Sequence, residues 1–406
     1  MLGLSILRCT MLANLISFFI TLKNRLKTPR CFFLIGGVLA FFPANLLAQP
    51  LELPQKGEVK IEFAERFSIT RLRNGCRLLE IKKPVGRKRG LWFTYLLVPK
   101  GQPVPKGYDY DELVSIPVRT VTCASGFHVS LVALLGHFDA VVGVSGKMRV
   151  GNERIHEMLD AGEMAALGDS QNMNMETLVE TRPDVAFIYG SGSDFDMQEK
   201  IHQFGITPGL ICAHLEAQPL GVLEWIKFIG AFFQKEAIAQ AYFDSVKTQY
   251  LNYQRVADAV AQKPGVIVGH NRKGAWTTHG SSAWFVQFLL DAGANYILEP
   301  KNEYEENVVS LEVAIQKGIK ADYWVNPQWD VRKISELLGQ DKRYGIFKSV
   351  QTGQVYNNNA SAFNNGRNRF WETGMMEPQV VLADLIKIFH PELLPEHKLV
   401  YYRKLD

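Results

Sequence analysis

A strand-and-helix alternation that runs twice along the chain, interrupted once by a long tract without strands, limits most strongly what this sequence can fold into. From Ile116 it reads as the strand Val118-Arg-Thr-Val-Thr122, a helix over about 126–135, and the buried strand Ala140-Val-Val-Gly-Val144. A helix near Met175 to Glu180, the strand Val185 to Tyr189, a helix near Met197 to Phe204 and the strand Gly209-Leu-Ile-Cys212 follow. Such alternation predicts a parallel sheet flanked by helices. Pro219 to Gln262 then carries only helical spacing, and after Pro264-Gly265 the alternation restarts with Val266-Ile-Val-Gly269 and runs to a last helix at 378–389. The expected fold class is α/β: two Rossmann-like lobes joined by a long backbone helix. At 1.5 Å per residue, a helix of about 25 residues would run roughly 40 Å, enough to bridge two domains.

Upstream, residues 49–115 read as a β-rich lead-in, with alternation at Phe67-Ser-Ile-Thr-Arg-Leu72, an Asn74-Gly75 turn signal and a continuous β-prone run from Leu91 to Val98. The expected organisation is therefore a signal peptide at 1–48, the β-rich segment at 49–115, a first lobe at 116–218, the helical tract at 219–263 and a second lobe at 264–406. Lys23, Arg25, Lys27 and Arg30 precede an apolar run from Cys31 to Leu47 and a small residue, Ala48, which is the pattern of a cleavable export signal. The mature chain is expected to begin near Gln49 in the periplasm. A shorter apolar stretch, Leu12 to Leu22, reads either as a start assigned too early or as a membrane anchor. Neither Cys9 nor Cys31 follows the small residues expected before a lipidated cysteine. Removal of the signal leaves Cys76, Cys123 and Cys212, without Cys-x-x-Cys spacing, which reads as three small buried hydrophobes.

A net charge of +4 with scattered Lys and Arg lacks the footprint of a nucleic-acid binder. The one basic run, Arg87-Lys88-Arg89, reads as a solvated turn. No Gly-x-Ser-x-Gly elbow, phosphate loop, His-Glu-x-x-His or dinucleotide fingerprint is present, so no catalytic set is assigned. His128, His214, His270 and His279 keep two rival readings open: capture of a bare metal ion, or a two-lobed chelatase-like enzyme with His270 or His279 as its titratable group.

Three segments together resemble one family. They are Gly168 to Tyr189, with Asn174-Met-Glu176, Pro183-Asp184 and a buried strand; Asn307 to Val325, which repeats that design with Ser310-Leu-Glu312 and Ala321-Asp322; and Gly269 to Trp284, a Gly- and aromatic-rich link between a strand and a helix. Over about 116–390 the chain resembles the periplasmic binding proteins for iron-siderophore, haem and cobalamin import. The resemblance implies capture of a ferric chelate, haem or cobalamin between the lobes, no cofactor, and delivery to the permease dimer of an ABC importer, the only link to a membrane. It also implies that Glu176 and Glu312, one on each lobe, pair with the permease. The expected ligand contacts are Phe127, Lys147, Arg149 and Tyr189 from the first lobe and Trp276, Arg367, Arg369 and Trp371 from the second. Trp284, inside the following helix pattern, is expected in the core.

Overall fold

A computed structural model describes residues 57–82, 90–146, 150–170, 172–193, 196–298, 306–328 and 330–406. The segment expected to be an export signal, the basic run at 87–89, and Lys147 and Arg149 lie outside the described residues.

The lead-in is a five-stranded sheet in the order β1-β2-β3-β4-β5: β1 (Gly57–Glu58), β2 (Phe67–Arg71), β3 (Arg77–Lys82), β4 (Leu91–Pro99) and β5 (Glu112–Ile116). The first four pair antiparallel, and β5 runs parallel to β4. Asn74 and Gly75, with φ of 57° and 71°, form the turn that the sequence signals between β2 and β3.

The first lobe holds β6 (Val121–Cys123), α1 (Gly126–Leu134), β7 (Val141–Val144), α2 (Glu153–Asp160), β8 (Ala165–Ala166), α3 (Met175–Thr181), β9 (Val185–Tyr189), α4 (Gln198–Gln203) and β10 (Thr207–Ile211). Its strands are all parallel, in the order β10-β9-β6-β7-β8. Val121, Val185 and Leu210 are buried, as expected of a sheet covered on both faces.

Two helices fill the strand-free tract: α5 (Pro219–Phe232) and α6 (Glu236–Asp258). Every residue of α5 is buried, because the lead-in sheet covers it on one side and the lobe on the other. Phe67 packs on Trp225 with ring centroids 4.8 Å apart, and Tyr95 on Phe232 at 5.5 Å. Two buried carboxylates fasten the chain ahead of β2 to this helix. Glu224 accepts the N–H groups of Glu62, Phe63 and Ala64 and the Lys227 ammonium at 2.7 to 3.0 Å, and Glu216 accepts those of Glu65 and Arg66 and the Trp225 indole. The lead-in is thus part of the first lobe's core, a role the sequence alone did not assign. Helix α6, 23 residues long, extends about 34 Å.

The second lobe comprises β11 (Gly265–Val268), β12 (His270–Arg272), β13 (Ala275–His279), α7 (Trp284–Asp291), β14 (Asn295–Tyr296), β15 (Glu306–Ser310), α8 (Leu311–Gly318), β16 (Tyr323–Val325), α9 (Ile334–Gln340), α10 (Lys348–Gln351), β17 (Val355–Asn357), α11 (Pro378–Phe389) and β18 (Arg403–Lys404). Its main sheet runs β14-β11-β16-β17-β18, with only β18 antiparallel to its neighbour. Strands β12, β13 and β15 form a separate antiparallel sheet.

The link expected at 269–284 is therefore largely a hairpin. Strand β13 turns Trp276 and Thr278 inward, by the two-residue period of a strand. Gly269, at φ 95°, is needed because a Cβ there would lie 1.9 Å from the Thr277 carbonyl oxygen. Cys76, Cys123 and Cys212 are free and buried. No helix among the described residues is long and apolar enough to cross a membrane.

Candidate binding cleft

The first-lobe chain proceeds from β6 to β7 on one side, then crosses to β9 on the other. A crevice therefore forms beyond the carboxyl ends of β6 and β9, where doubly wound sheets bind ligands. The loop after β6 places Ser125, whose Oγ caps α1 by accepting the His128 N–H at 3.2 Å, and the first turn of α1 places Phe127. Strand β9 ends at Tyr189. Facing them is the second-lobe segment 363–375, which contains a π-helical turn, Phe370–Gly374.

Two adjoining compartments occupy this crevice. One, of about 470 Å³, sets the polar groups of Ser125, Ser145, Ser170, Arg367, Asn368 and Glu372 into a mainly apolar wall. The other, of about 190 Å³, is lined by apolar and aromatic groups including His128, Ile211, His214, Trp284 and Met375. Phe127, Tyr189 and Trp371 line both. The larger compartment lies within the usual volume range of small-molecule sites.

Tyr189 and Trp371 remain 39% and 44% exposed, although large aromatic side chains gain most from burial. Trp371 meets Trp284 edge to face at 6.5 Å. Tyr189 lies between two imidazoles, 4.9 Å from His128 and 5.5 Å from His214. Burial lowers the His128 pKa to about 3, so its ring is neutral at ordinary pH. Ser145 Oγ is fully buried and has no hydrogen-bond partner among the described residues.

Of the expected contacts, Phe127, Tyr189, Arg367 and Trp371 come together on the cleft. Lys147 and Arg149 are outside the described residues; in the sequence they fall between Gly146 and Val150, two residues that line the cavity. Arg369 is exposed and lies over the Phe363 ring at 5.1 Å, outside the cavity lining. Trp276 is a correction: it is fully buried in the second lobe's own core, 5.5 Å from Trp324, and donates its indole N–H to the Val268 carbonyl at 2.8 Å. Trp284, expected in the core, is the half-buried tryptophan that reaches the cleft. Strand register makes the exchange, because the hairpin turns position 276 inward while the first turn of α7 leaves position 284 at the lobe's edge.

Glu372 was not anticipated and is 5% exposed on the cavity wall. Its signal in the sequence was only a carboxylate inside an aromatic run. Desolvation raises its pKa, against hydrogen bonds from the backbone of Gly151 and Asn152 that lower it.

Glu176 and Glu312 occupy matching sites. Asn174 caps α3 by accepting the Thr177 N–H, and Ser310 caps α8 by accepting that of Val313, which leaves each glutamate second in its helix and exposed. Asp184 and Asp322, which immediately precede β9 and β16, accept the N–H groups of Arg119 and Gly265 at 2.6 and 2.7 Å, at the heads of β6 and β11. No group of three or more His, Cys, Asp or Glu placed to hold a metal ion occurs among the described residues.

Two α/β lobes, one long helix and an aromatic cleft define the class of two-lobed solute-binding proteins. The sequence profile of the periplasmic binding proteins matches residues 121–362, and the chain belongs to that family, which consists of binding proteins and not enzymes. An uncharacterized lipoprotein of Methanocaldococcus jannaschii is 26% identical over 77% of this chain and 76% of its own. Among solved structures, a periplasmic haem-binding protein of Pseudomonas aeruginosa superposes with a TM-score of 0.52 at 16% identity, over 71% of this chain and 98% of its own. A periplasmic vitamin B12-binding protein of Vibrio cholerae does so with a TM-score of 0.50 at 14% identity, over 69% of this chain and 99% of its own.

Proposed function

We propose that this protein captures a metal chelate, either a ferric siderophore, haem or a corrinoid, between its lobes in the periplasm and delivers it to the permease dimer of an ABC importer. The observation that carries the reading is the pair of exposed aromatic faces, Tyr189 and Trp371, on opposite walls of one cavity. Aromatic walls take up the apolar faces of a macrocycle or a catecholate, while the Arg367 guanidinium at the rim suits an anionic edge. The two superposed proteins whose ligands are named, haem and vitamin B12, support this ligand class.

Matching first-turn positions of Glu176 and Glu312 support their assignment as the permease contacts, one for each half of a dimeric partner. The chain is exported by the segment ending at Ala48 and reaches the membrane only through that permease. Titration of residues 49–406 with haemin, cyanocobalamin and ferric siderophores, followed by tryptophan fluorescence and calorimetry, tests the ligand class. One-to-one submicromolar binding of one of these is expected, and failure across the panel would reject it. The mass of the periplasmic form checks export: an N-terminus at Gln49 without an attached lipid is expected.

A further inference from the structure

We infer that Glu372 is an interlobe latch, a positioning residue that sets the resting width of the cleft and holds Trp371 and Arg367 against the ligand space. The inference rests on the cleft as the ligand site, but not on which ligand enters it.

Glu372 belongs to the second lobe, yet its carboxylate is bonded by the first. Its Oε1 accepts the Gly151 N–H at 2.5 Å, and the Asn152 backbone donates to it as well. Those amides lead into α2, and the same carboxylate lies against Gly126 at the first turn of α1. A negative charge is favoured at such helix starts, where N–H groups lack partners within the helix.

The two glycines strengthen the case. Neither Gly126 nor Gly151 has a positive φ, so no backbone conformation requires glycine at these positions. Space does. A Cβ on Gly126 would lie 2.4 Å from the Glu372 carboxyl carbon, and one on Gly151 would lie 2.1 Å from the Phe363 ring. Both are first-lobe positions cut back to admit second-lobe side chains.

Further bonds cross at the same seam. Asn364 donates its backbone N–H and its side-chain amide to the two oxygens of Glu153, each at 2.7 Å, and Asn365 donates to the Gly151 carbonyl at 3.1 Å. The segment 363–372 is thus fastened to the entry of α2 at both ends. Because Trp371 precedes Glu372 within the same π-helical turn, anchoring the carboxylate also fixes the aromatic wall. Carboxylate and amide groups rehydrate when parted, which suits a contact that must open and reclose for a ligand; His156 and Arg367 are the nearby groups whose charges act on Glu372.

The test uses the ligand-free protein. Hydrogen exchange is followed at the amides of 150–153 and at Asn364 in the wild type, Glu372→Gln, Glu372→Ala and Gly126→Ala. The last variant displaces the carboxylate without altering it. Exchange at Gly151 and at Asn364 should rise together, by about tenfold or more in Glu372→Ala and less in Glu372→Gln, with the global unfolding midpoint little changed. Asn364 bonds Glu153 and not Glu372, so its joint rise reports lobe opening rather than the loss of one local bond. Folded Glu372→Gln and Gly126→Ala proteins with wild-type exchange at both sites would overturn the latch. Haemin titration of the same variants is read separately: absence of binding in all of them, the wild type included, rejects haem as ligand and leaves the exchange result standing.

Discussion

The two lobes share one plan and diverge at the place where a ligand would enter. Each sheet sets its first strand (β6, β11) between its second (β7, β14) and a later one (β9, β16), with the next strand of the sheet (β10, β17) beyond that; the short β8 lies outside β7 in the first lobe only. Strands β9 and β16 each follow a capped helix with an exposed second-position glutamate, and each is preceded by an aspartate that binds the backbone at the head of the first strand. Beyond the carboxyl ends of β6 and β9 the crevice is open, walled by Ser125 and Tyr189. The equivalent place after β11 and β16 is filled: Trp276 and Thr278 from the hairpin bond the Val268 carbonyl, and the Trp324 indole bonds that of Gly269. One α/β plan thus yields an open crevice in the first lobe and a solid core in the second, which meets that crevice with the late segment 363–375 instead.

Substitution of paired aromatics gives the sharpest break of this comparison. Trp276→Ala should cost about 3–5 kcal/mol of stability in urea denaturation, since it removes a fully buried indole. Tyr189→Ala should cost about 1 kcal/mol or less, yet weaken binding of the identified chelate by about tenfold or more in calorimetry. Equal stability losses would erase the distinction between solid core and open crevice.

The next effect is in pH. The folded pKa of His128, about 3, lies below its ordinary value of 6.5 because of burial. Between those values the unfolded chain binds the proton and the folded one does not. Stability is therefore full above about pH 7 and falls as the pH drops, at about 1.4 kcal/mol per unit from this group. Glu216 acts oppositely: burial raises its pKa to about 7, so it favours the folded state as the pH falls from 7 toward 4.5. The difference in unfolding free energy between wild type and His128→Gln should shrink steadily on acidification from pH 7 to 4; a constant difference would remove the His128 assignment.

Smaller and symmetric losses are expected at the strand heads. Asp184→Ala and Asp322→Ala each remove the side-chain acceptor of backbone N–H groups near the surface, at about 0.5–1.5 kcal/mol in thermal or chemical unfolding. A cost confined to one lobe would weaken the shared plan. Least in stability, and largest in transport, is charge reversal of both exposed glutamates: Glu176→Lys with Glu312→Lys should leave unfolding within about 0.5 kcal/mol and abolish uptake. Undiminished uptake would reject permease docking by this pair.

Much of this was legible in the residues. The doubled alternation, the strand-free tract and the two glutamate segments follow from local periodicity and capping, which depend on neighbours within a few positions. Phe127 and Tyr189 could be placed at the cleft because one opens the helix that follows β6 and the other ends β9, beside the carboxyl ends where the α/β plan itself locates a site. Trp276 and Trp284 could not be sorted. Which of them faces inward depends on a hairpin whose third strand, β15, pairs with β13 from some 30 residues further on.

The sequence by itself determined the kind and order of the elements, since hydrophobic period and caps are local quantities. Tertiary structure alone decided that the lead-in sheet encloses α5, that the second lobe's switch point is plugged, and that Glu372 reaches across to Gly126 and Gly151. Each of these depends on which distant surfaces meet, and a buried charge or a missing Cβ has meaning only beside the group it was shaped to receive.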